Sequence, residues 1–338
     1  MVIVMQKQAS PEAVENVLGE LKKLDFVPHI SEGESRVVIG AIGPAPTEEL
    51  IEQLRALPQV ETAVRITKPY KLASREFRHD DSFVMIGDVK TGNGRFVVAA
   101  GPCGVESEQQ TVDAACIAKK YGASVVRGGA FKPRTSPYSF QGLGEEGLRI
   151  LEKARETTGM PIVTEVTAPE LVETVAQTAD MLQIGARNTQ NFALLAEAGK
   201  SGKPVLFKRG MSTSLAEFLQ AAEYILSQGN PNVILCERGI RTFETATRFT
   251  LDLGAVPVLK ELSHLPVWVD PSHAAGKRSL VEPLALAAAA AGADGLIVEV
   301  HPTPETAKSD AAQQLNEAEF SALMSRLRPV VEALGKEL

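Results

Sequence analysis

Residues 204–238 read PVLFKRGMSTSLAEFLQAAEYILSQGNPNVILCER. Two short runs, PVLFKR and VILCER, are apolar and rich in branched residues until their last positions, where they turn charged. Between them, residues 214–228 carry a helical apolar spacing. A strand that shows no alternation is buried on both faces, and two such strands joined by a helix form the parallel crossover unit. The unit recurs from residue 82 onward. FVVAAG, SVVRGG, PIVTEV, MLQIGA, PVLFKR, VILCER, PVWVDP and LIVEVH read as strands. Helical patterns follow them at 108–121, 144–158, 169–178, 190–199, 214–228, about 244–253, 280–291 and 316–334. Eight such repeats in about 250 residues predict an α/β chain with a (β/α)8 TIM barrel. An open doubly wound sheet is the alternative, and the eightfold count favours the barrel. Ahead of the first strand, FVMIGDV and KTGNG predict a hairpin leading into it. Gly92-Asn93-Gly94 precedes a strand and opens no helix, so it reads as a turn and not as a dinucleotide site.

Residues 1–66 follow another order. VIVM is strand-like, and Ser10-Pro11 supplies an N-cap and first-turn proline for a helix to about Leu24. FVPHI and SRVVIGAI read as two strands. Thr47 starts a second helix through Leu57, and VETAVRI closes the series. The order βαββαβ predicts a small ferredoxin-like domain. Residues 67–81 read as a polar linker and 82–338 as the barrel domain.

The chain has 338 residues, 44% hydrophobic and 23% charged, with net charge −7. That balance offers no global field for nucleic acid or an anionic membrane, so an anion has to be gathered by a local cluster. The longest apolar run, around Leu284–Ala291, is too short to span a bilayer. The start MVIVMQKQ lacks a signal-peptide core. Three widely spaced cysteines make no disulfide framework, which points to a reducing cytoplasm. Cys116 falls in a helical apolar stripe and Cys236 inside a strand, and both read as structural.

In a barrel the C-terminal strand ends meet at one mouth. Here those ends bring Arg127, Glu165, Ala186, Arg187, Lys208, Arg209, Arg238 and Asp270. So many cations on one rim would repel each other unless anions sat among them, and phosphate or carboxylate groups on small substrates fit. The stretch 128–144, GGAFKPRTSPYSFQGLG, is a long loop after the second strand. Lys132 and Arg134 add charge, Thr135 and Ser136 add donors for phosphate oxygens, and two prolines stiffen it. A second set is soft and acidic: Cys103, His273, Glu299 and Asp310 follow the first, seventh and eighth strands. A thiolate, an imidazole and two carboxylates suit a divalent transition metal better than magnesium or calcium. Each has an ordinary reading as well. Cys103 could be a small core residue, Asp310 a solvated carboxylate, and His301 is a rival to His273.

GPCGVES (101–107), RGGAFKPRTSPYSFQG (127–142), QIGARNTQN (183–191), LFKRG (206–210), CERGIRTFE (236–244), VDPSHAAGKR (269–278) and IVEVHPTPE (297–305) resemble the type Iβ 3-deoxy-D-arabino-heptulosonate 7-phosphate synthases. That family condenses phosphoenolpyruvate with erythrose 4-phosphate, the first step of the shikimate route. The resemblance implies one divalent ion (manganese, iron, cobalt, zinc or cadmium) on Cys103, His273, Glu299 and Asp310, acting as a Lewis acid on the aldehyde oxygen. It implies that Arg127, Lys132, Arg187, Lys208 and Arg238 surround phosphoenolpyruvate, with Ala186 beside them. Arg134, Thr135 and Ser136 are implied to hold the aldose phosphate. Lys132 and His273 are expected near the aldehyde oxygen, Glu165 near the attacking water, and Asp270 behind them. The N-terminal unit resembles a regulatory domain that binds tyrosine or phenylalanine, with His29 and Ser31 of PHISEG as expected contacts. Relatives of this kind are commonly homotetramers. The octulosonate 8-phosphate synthases share the barrel but carry a KANRSS-like loop in place of KPRTS and lack the N-terminal unit. A catalytically silent barrel serving as an amino-acid sensor is the reading from another class, and the intact cation and ligand sets argue against it.

Overall fold

Ser10 and Thr47 cap the helices that they precede. The Ser10 hydroxyl accepts from the Ala13 amide and that of Thr47 from the Leu50 amide, both at 3.2 Å. These helices, α1 (Pro11–Lys23) and α2 (Glu48–Arg55), alternate with β1 (Val2–Met5), β2 (Val27–Glu32), β3 (Val37–Ile42) and β4 (Val60–Val64) in the predicted order. The strands form an antiparallel sheet in the order β2-β3-β1-β4. Val17 and Leu21 of α1 and Ile51 and Leu54 of α2 pack on Ile3, Met5, Ile39 and Ala63 of the sheet. This is the ferredoxin-like arrangement.

The computed structural model describes residues 1–32, 36–65, 69–134 and 136–338. Two units are distinguished, residues 1–81 with 261–264, and residues 82–260 with 265–338. Tyr70, Leu72, Ala73 and Phe77 in the segment read as a polar linker are buried. A side chain at Gly40 of β3 would stand 2.7 Å from the Phe77 ring, so the segment packs on the N-terminal sheet and is no free tether.

The second unit opens with the hairpin β5 (Val84–Ile86) and β6 (Val89–Thr91), which turns at Gly87-Asp88, earlier than the KTGNG stretch suggested. The barrel then runs β7 (Val97–Gly101), α3 (Glu108–Lys120), β8 (Val125–Arg127), α4 (Glu145–Thr158), β9 (Ile162–Val166), α5 (Val172–Thr178), β10 (Met181–Ile184) and α6 (Phe192–Lys200). It continues through β11 (Val205–Lys208), α7 (Leu215–Leu226), β12 (Val233–Glu237), α8 (Ala255–Leu262), β13 (Val267–Val269), α9 (Pro271–Ala275), α10 (Arg278–Ala290), β14 (Gly295–Glu299) and α11 (Glu317–Ala333). Every strand pairs in parallel with the next, and β14 pairs with β7, from Gly295 beside Val97 to Glu299 beside Gly101. The sheet is therefore a closed barrel and not an open doubly wound one.

The barrel interior is packed. Val97, Ala99, Val163, Leu206, Ile234, Trp268 and Ile297 meet Val84 and Ile86 of the hairpin in one cluster. The Trp268 indole N–H donates to the Thr91 hydroxyl at 2.8 Å. Gly295 makes room for that indole, since a Cβ there would lie 2.5 Å from Trp268 Nε1.

One helix lies elsewhere than its pattern suggested. Residues 244–253 are irregular, and α8 starts at Ala255, where Asp252 caps it. Non-local partners take the backbone groups that a helix would have used. The Arg248 and Phe249 amides donate to the carbonyls of Ala275 and Ala274, and Thr250 exchanges bonds with Ile240. The threonines at 245, 247 and 250 add little helix propensity to resist this.

Candidate active site

Cys103 follows β7, His273 sits on α9 after β13, Glu299 ends β14, and Asp310 lies on the loop beyond it. One donor atom from each lies within 4.8 Å of the others. Cys103 Sγ is 3.0 Å from Asp310 Oδ2, and His273 Nε2 is 3.3 Å from Glu299 Oε1. Donors bound at about 2.0–2.3 Å to a shared ion stand at most about 4.6 Å apart, so small adjustments let this quartet enclose one divalent cation. The mixture of sulfur, imidazole and carboxylate fits a transition metal.

Neighbouring groups hold each donor. Asp270 accepts from the His273 ring at Nδ1 (2.7 Å), which turns Nε2 toward the quartet. Arg127 donates to Glu299 Oε1 at 3.0 Å and Gln313 to Oε2 at 2.6 Å. Gln314 accepts the Cys103 backbone N–H at 2.9 Å. Lys132 Nζ donates to the Cys103 carbonyl at 2.9 Å and lies 3.0 Å from its sulfur. Burial pushes the Cys103 thiol up to about 12, with Glu299 adding to the rise. Burial alone would raise the Asp310 carboxyl, but His273, the Cys103 thiol and Arg248 hold it well below its ordinary value. Asp270 is likewise held low by His273 and Lys208 against its burial.

A cavity of about 210 Å³ opens beside the quartet. Lys132, Arg134, Arg187, Arg238 and Arg248 face it against the carboxylates Glu165 and Asp310. It shares Lys132, Glu165, Arg187, Arg238, Arg248 and His273 with an inner chamber of about 60 Å³, which Arg127, Ala186 and Lys208 also line. Arg238 is buried, its Nη1 has no hydrogen-bond partner among the described residues, and its guanidinium lies 4.3 Å over the Phe249 ring. Burial, with Arg248 and Arg187 nearby, lowers its pKa. An unsatisfied donor among like charges is a seat for an anion.

A model of the DAHP synthetase I family matches residues 62–333, and one of the DAHP synthase ferredoxin-like domain matches residues 1–68. The chain is 49% identical over 335 residues to phospho-2-dehydro-3-deoxyheptonate aldolase of Thermotoga maritima, covering 99% of both chains. The chain belongs to the DAHP synthetase I family. A crystal structure of the DAHP synthase from that organism superposes with TM-score 0.79 at 48% identity, covering 99% of this chain and 98% of the other. A truncated form of the same enzyme gives 0.75 at 49% identity, over 80% of this chain and 99% of its own. The 2-dehydro-3-deoxyphosphooctonate aldolase of Trichlorobacter lovleyi is 34% identical over 262 residues, 72% of this chain and 95% of its own.

In this member of the DAHP synthetase I family most residues expected at the mouth are there. Ser136 lines the outer cavity beside Arg134, whereas Thr135 lies outside the described residues. Lys208 reaches the inner chamber while paired to Asp270. Arg209 is different: Glu237 and Asp252 hold its guanidinium at 2.8 Å each, so its charge is spent on structure. His301, the rival to His273, stands outside the quartet, and its Nδ1 accepts the Thr303 amide. Cys116 is exposed on α3 and not part of an apolar stripe. His29 and Ser31 lie two positions apart on β2 and so share a face, opposite Gly40 and Val38 of β3, and burial lowers the His29 pKa.

Residues around the metal-ligand quartet that the sequence alone did not reveal include Arg248, Gln313 and Gln314. Arg248 was hidden in the stretch that looked helical. The glutamines follow Asp310 by three and four positions in SDAAQQLN, a spacing that signals nothing until the loop is folded over β14.

Proposed function

We propose that the chain joins phosphoenolpyruvate to erythrose 4-phosphate and water, giving 3-deoxy-D-arabino-heptulosonate 7-phosphate and inorganic phosphate. The observation that carries this reading is a single wall shared by the soft ligand quartet and a cavity faced by five cations. The name of the Thermotoga maritima relative supports it.

Two phosphorylated substrates repel one another, and the cations offset that repulsion and fix the reacting carbons close together. Arg187 and Arg238 take the phosphate of phosphoenolpyruvate, and Arg127, Lys132 and Lys208 face its carboxylate. Arg134 and Ser136, which line the outer cavity, take the phosphate of the aldose, and Thr135 joins them in this role. Carbon 3 of phosphoenolpyruvate attacks the aldehyde carbon, water adds at carbon 2, and the resulting hemiketal phosphate releases phosphate by C–O cleavage. A divalent ion held by Cys103, His273, Glu299 and Asp310 would supply Lewis acidity at the aldehyde oxygen. His273 Nε2 belongs to that ligand set, so Lys132 is the better proton donor to the nascent alkoxide. Burial opposes the charge of Lys132, but Cys103 in its thiolate form, Glu299 and Glu165 outweigh it and raise its pKa. Glu165, which accepts from Gln183 at 3.2 Å, orients the water and takes its proton. Asp270 keeps the His273 ring in register.

The same reading gives the N-terminal unit a regulatory role, with tyrosine or phenylalanine bound at His29 and Ser31. It has the enzyme working in the cytoplasm as a homotetramer. Among the described residues no helix is long and apolar enough to cross a membrane.

Phosphate release is measured on chelated and remetallated enzyme, with erythrose 4-phosphate and with arabinose 5-phosphate, with and without tyrosine. Metal-dependent release with the four-carbon aldose is expected. Preference for the five-carbon aldose would overturn the substrate assignment in favour of octulosonate synthesis. No release with either would leave the silent sensor.

A further inference from the structure

Arg248 lies on the irregular segment between β12 and α8, yet it is tied to three of the four residues of the quartet. Its backbone amide donates to the Ala275 carbonyl at 3.2 Å, and the next amide donates to Ala274 at 2.9 Å. Both carbonyls belong to α9, the helix that carries His273. Gly276 permits this approach: its φ is +65°, and a Cβ there would lie 2.5 Å from that of Arg248. From this anchor Nη1 reaches Asp310 Oδ1 at 3.1 Å and Gln313 Oε1 at 3.2 Å. Gln313 in turn holds Glu299 Oε2 at 2.6 Å. The outward oxygens of both carboxylates are thus secured from one guanidinium, and the inward ones face Cys103 and His273. Asp310 also sits at φ +51°, a left-handed conformation that a non-glycine residue keeps only when its surroundings hold it there.

We propose that Arg248 is a positioning residue for the metal centre: it locks Asp310 directly, and Glu299 through Gln313, against the helix of His273. The inference rests on reading the quartet as a metal centre and is independent of which aldose reacts. Residues that orient metal ligands typically contribute 10–100-fold to metal affinity.

The full-length protein is stripped with chelator and titrated with cobalt(II) alone, following the thiolate-to-cobalt absorption that Cys103 would supply. Arg248→Gln is expected to weaken cobalt binding about tenfold or more. The unfolding midpoint of the metal-free protein should stay where it is. If Arg248→Gln fails to fold, Gln313→Met, which cuts the link to Glu299, is expected to weaken cobalt binding as well. Parental cobalt affinity in either folded variant overturns the proposal and leaves Arg248 as an anion contact only. Absence of cobalt binding by the parent overturns both the metal centre and this inference. Cobalt binding weakened by the substitution in a protein that turns over neither aldose sustains the inference and sinks the proposed reaction alone.

Discussion

Replacing Gly185 by alanine separates the cost to the fold from the cost to the chemistry. Gly185 has φ −69° and ψ 155°, so alanine adopts its backbone without strain. The new Cβ would stand 2.0 Å from Glu165 Oε1 and 3.0 Å from its Cδ. Carbon and oxygen in ordinary contact are about 3.3 Å apart, so the carboxylate has to retreat by roughly 1.3 Å. It is the far end of a flexible, half-buried side chain, held by the bond from Gln183, and can swing aside. The loss in stability therefore stays at the low end of the about 1–3 kcal/mol that overpacking brings. A reacting group misplaced by 1 Å costs on the order of 10²-fold in rate, or about 2.7 kcal/mol in the barrier. Turnover of Gly185→Ala, measured as phosphate release at saturating substrates and metal, should fall by that factor and approach Glu165→Gln. Thermal unfolding should shift little. Turnover within about threefold of the parent would show that the Glu165 carboxylate does not act where it stands.

Cys103→Ser is expected to abolish most activity and to lower metal affinity, read by titration of the stripped protein; a fully active, metal-free variant removes the sulfur from the ligand set. Because the free Cys103 thiol is pushed up to about 12, it is protonated at neutral pH and each bound ion displaces a proton. Metal affinity should then climb by up to about tenfold per pH unit between pH 6 and 8, and a flat profile contradicts thiolate ligation. In the N-terminal unit, burial lowers buried His264 to about 4, although its Nε2 donates to the Leu72 carbonyl at 2.7 Å. The unfolded imidazole titrates near 6.5, so this contribution is complete above pH 6.5 and lost as pH falls to 4, a difference of about 3 kcal/mol. Urea unfolding at pH 7 and pH 4.5 should show the parent losing more stability than His264→Gln; equal losses count against a neutral buried imidazole.

The repeat was legible because a strand covered on both faces has to be apolar throughout, and eight such runs spaced by helical patterns leave few alternatives. Ser10 and Thr47 announced their helices because capping is a local bond over three residues. The mouth could be read too, since polar residues at strand ends have nowhere else to go in a packed barrel. The segment 244–253 was misread for the opposite reason. Its backbone bonds go to Ala274, Ala275 and Ile240, none of which a local pattern can reveal. Arg209 failed in the same way, because its carboxylate partners are 28 and 43 residues away.

Composition and periodicity alone determined the two folds, the eight β/α units and the kinds of side chain available for anion and metal chemistry. Tertiary structure alone decided which of them meet. Cys103 and Asp310 are 207 residues apart in sequence and 3.0 Å apart in space because β14 closes against β7. Arg248 serves the quartet and Arg209 does not, although both are arginines from the same quarter of the barrel. The physical reason is that side-chain type is a local property, whereas an ion pair or a shared ion needs partners whose positions are set only when the sheet closes and the loops fold over it.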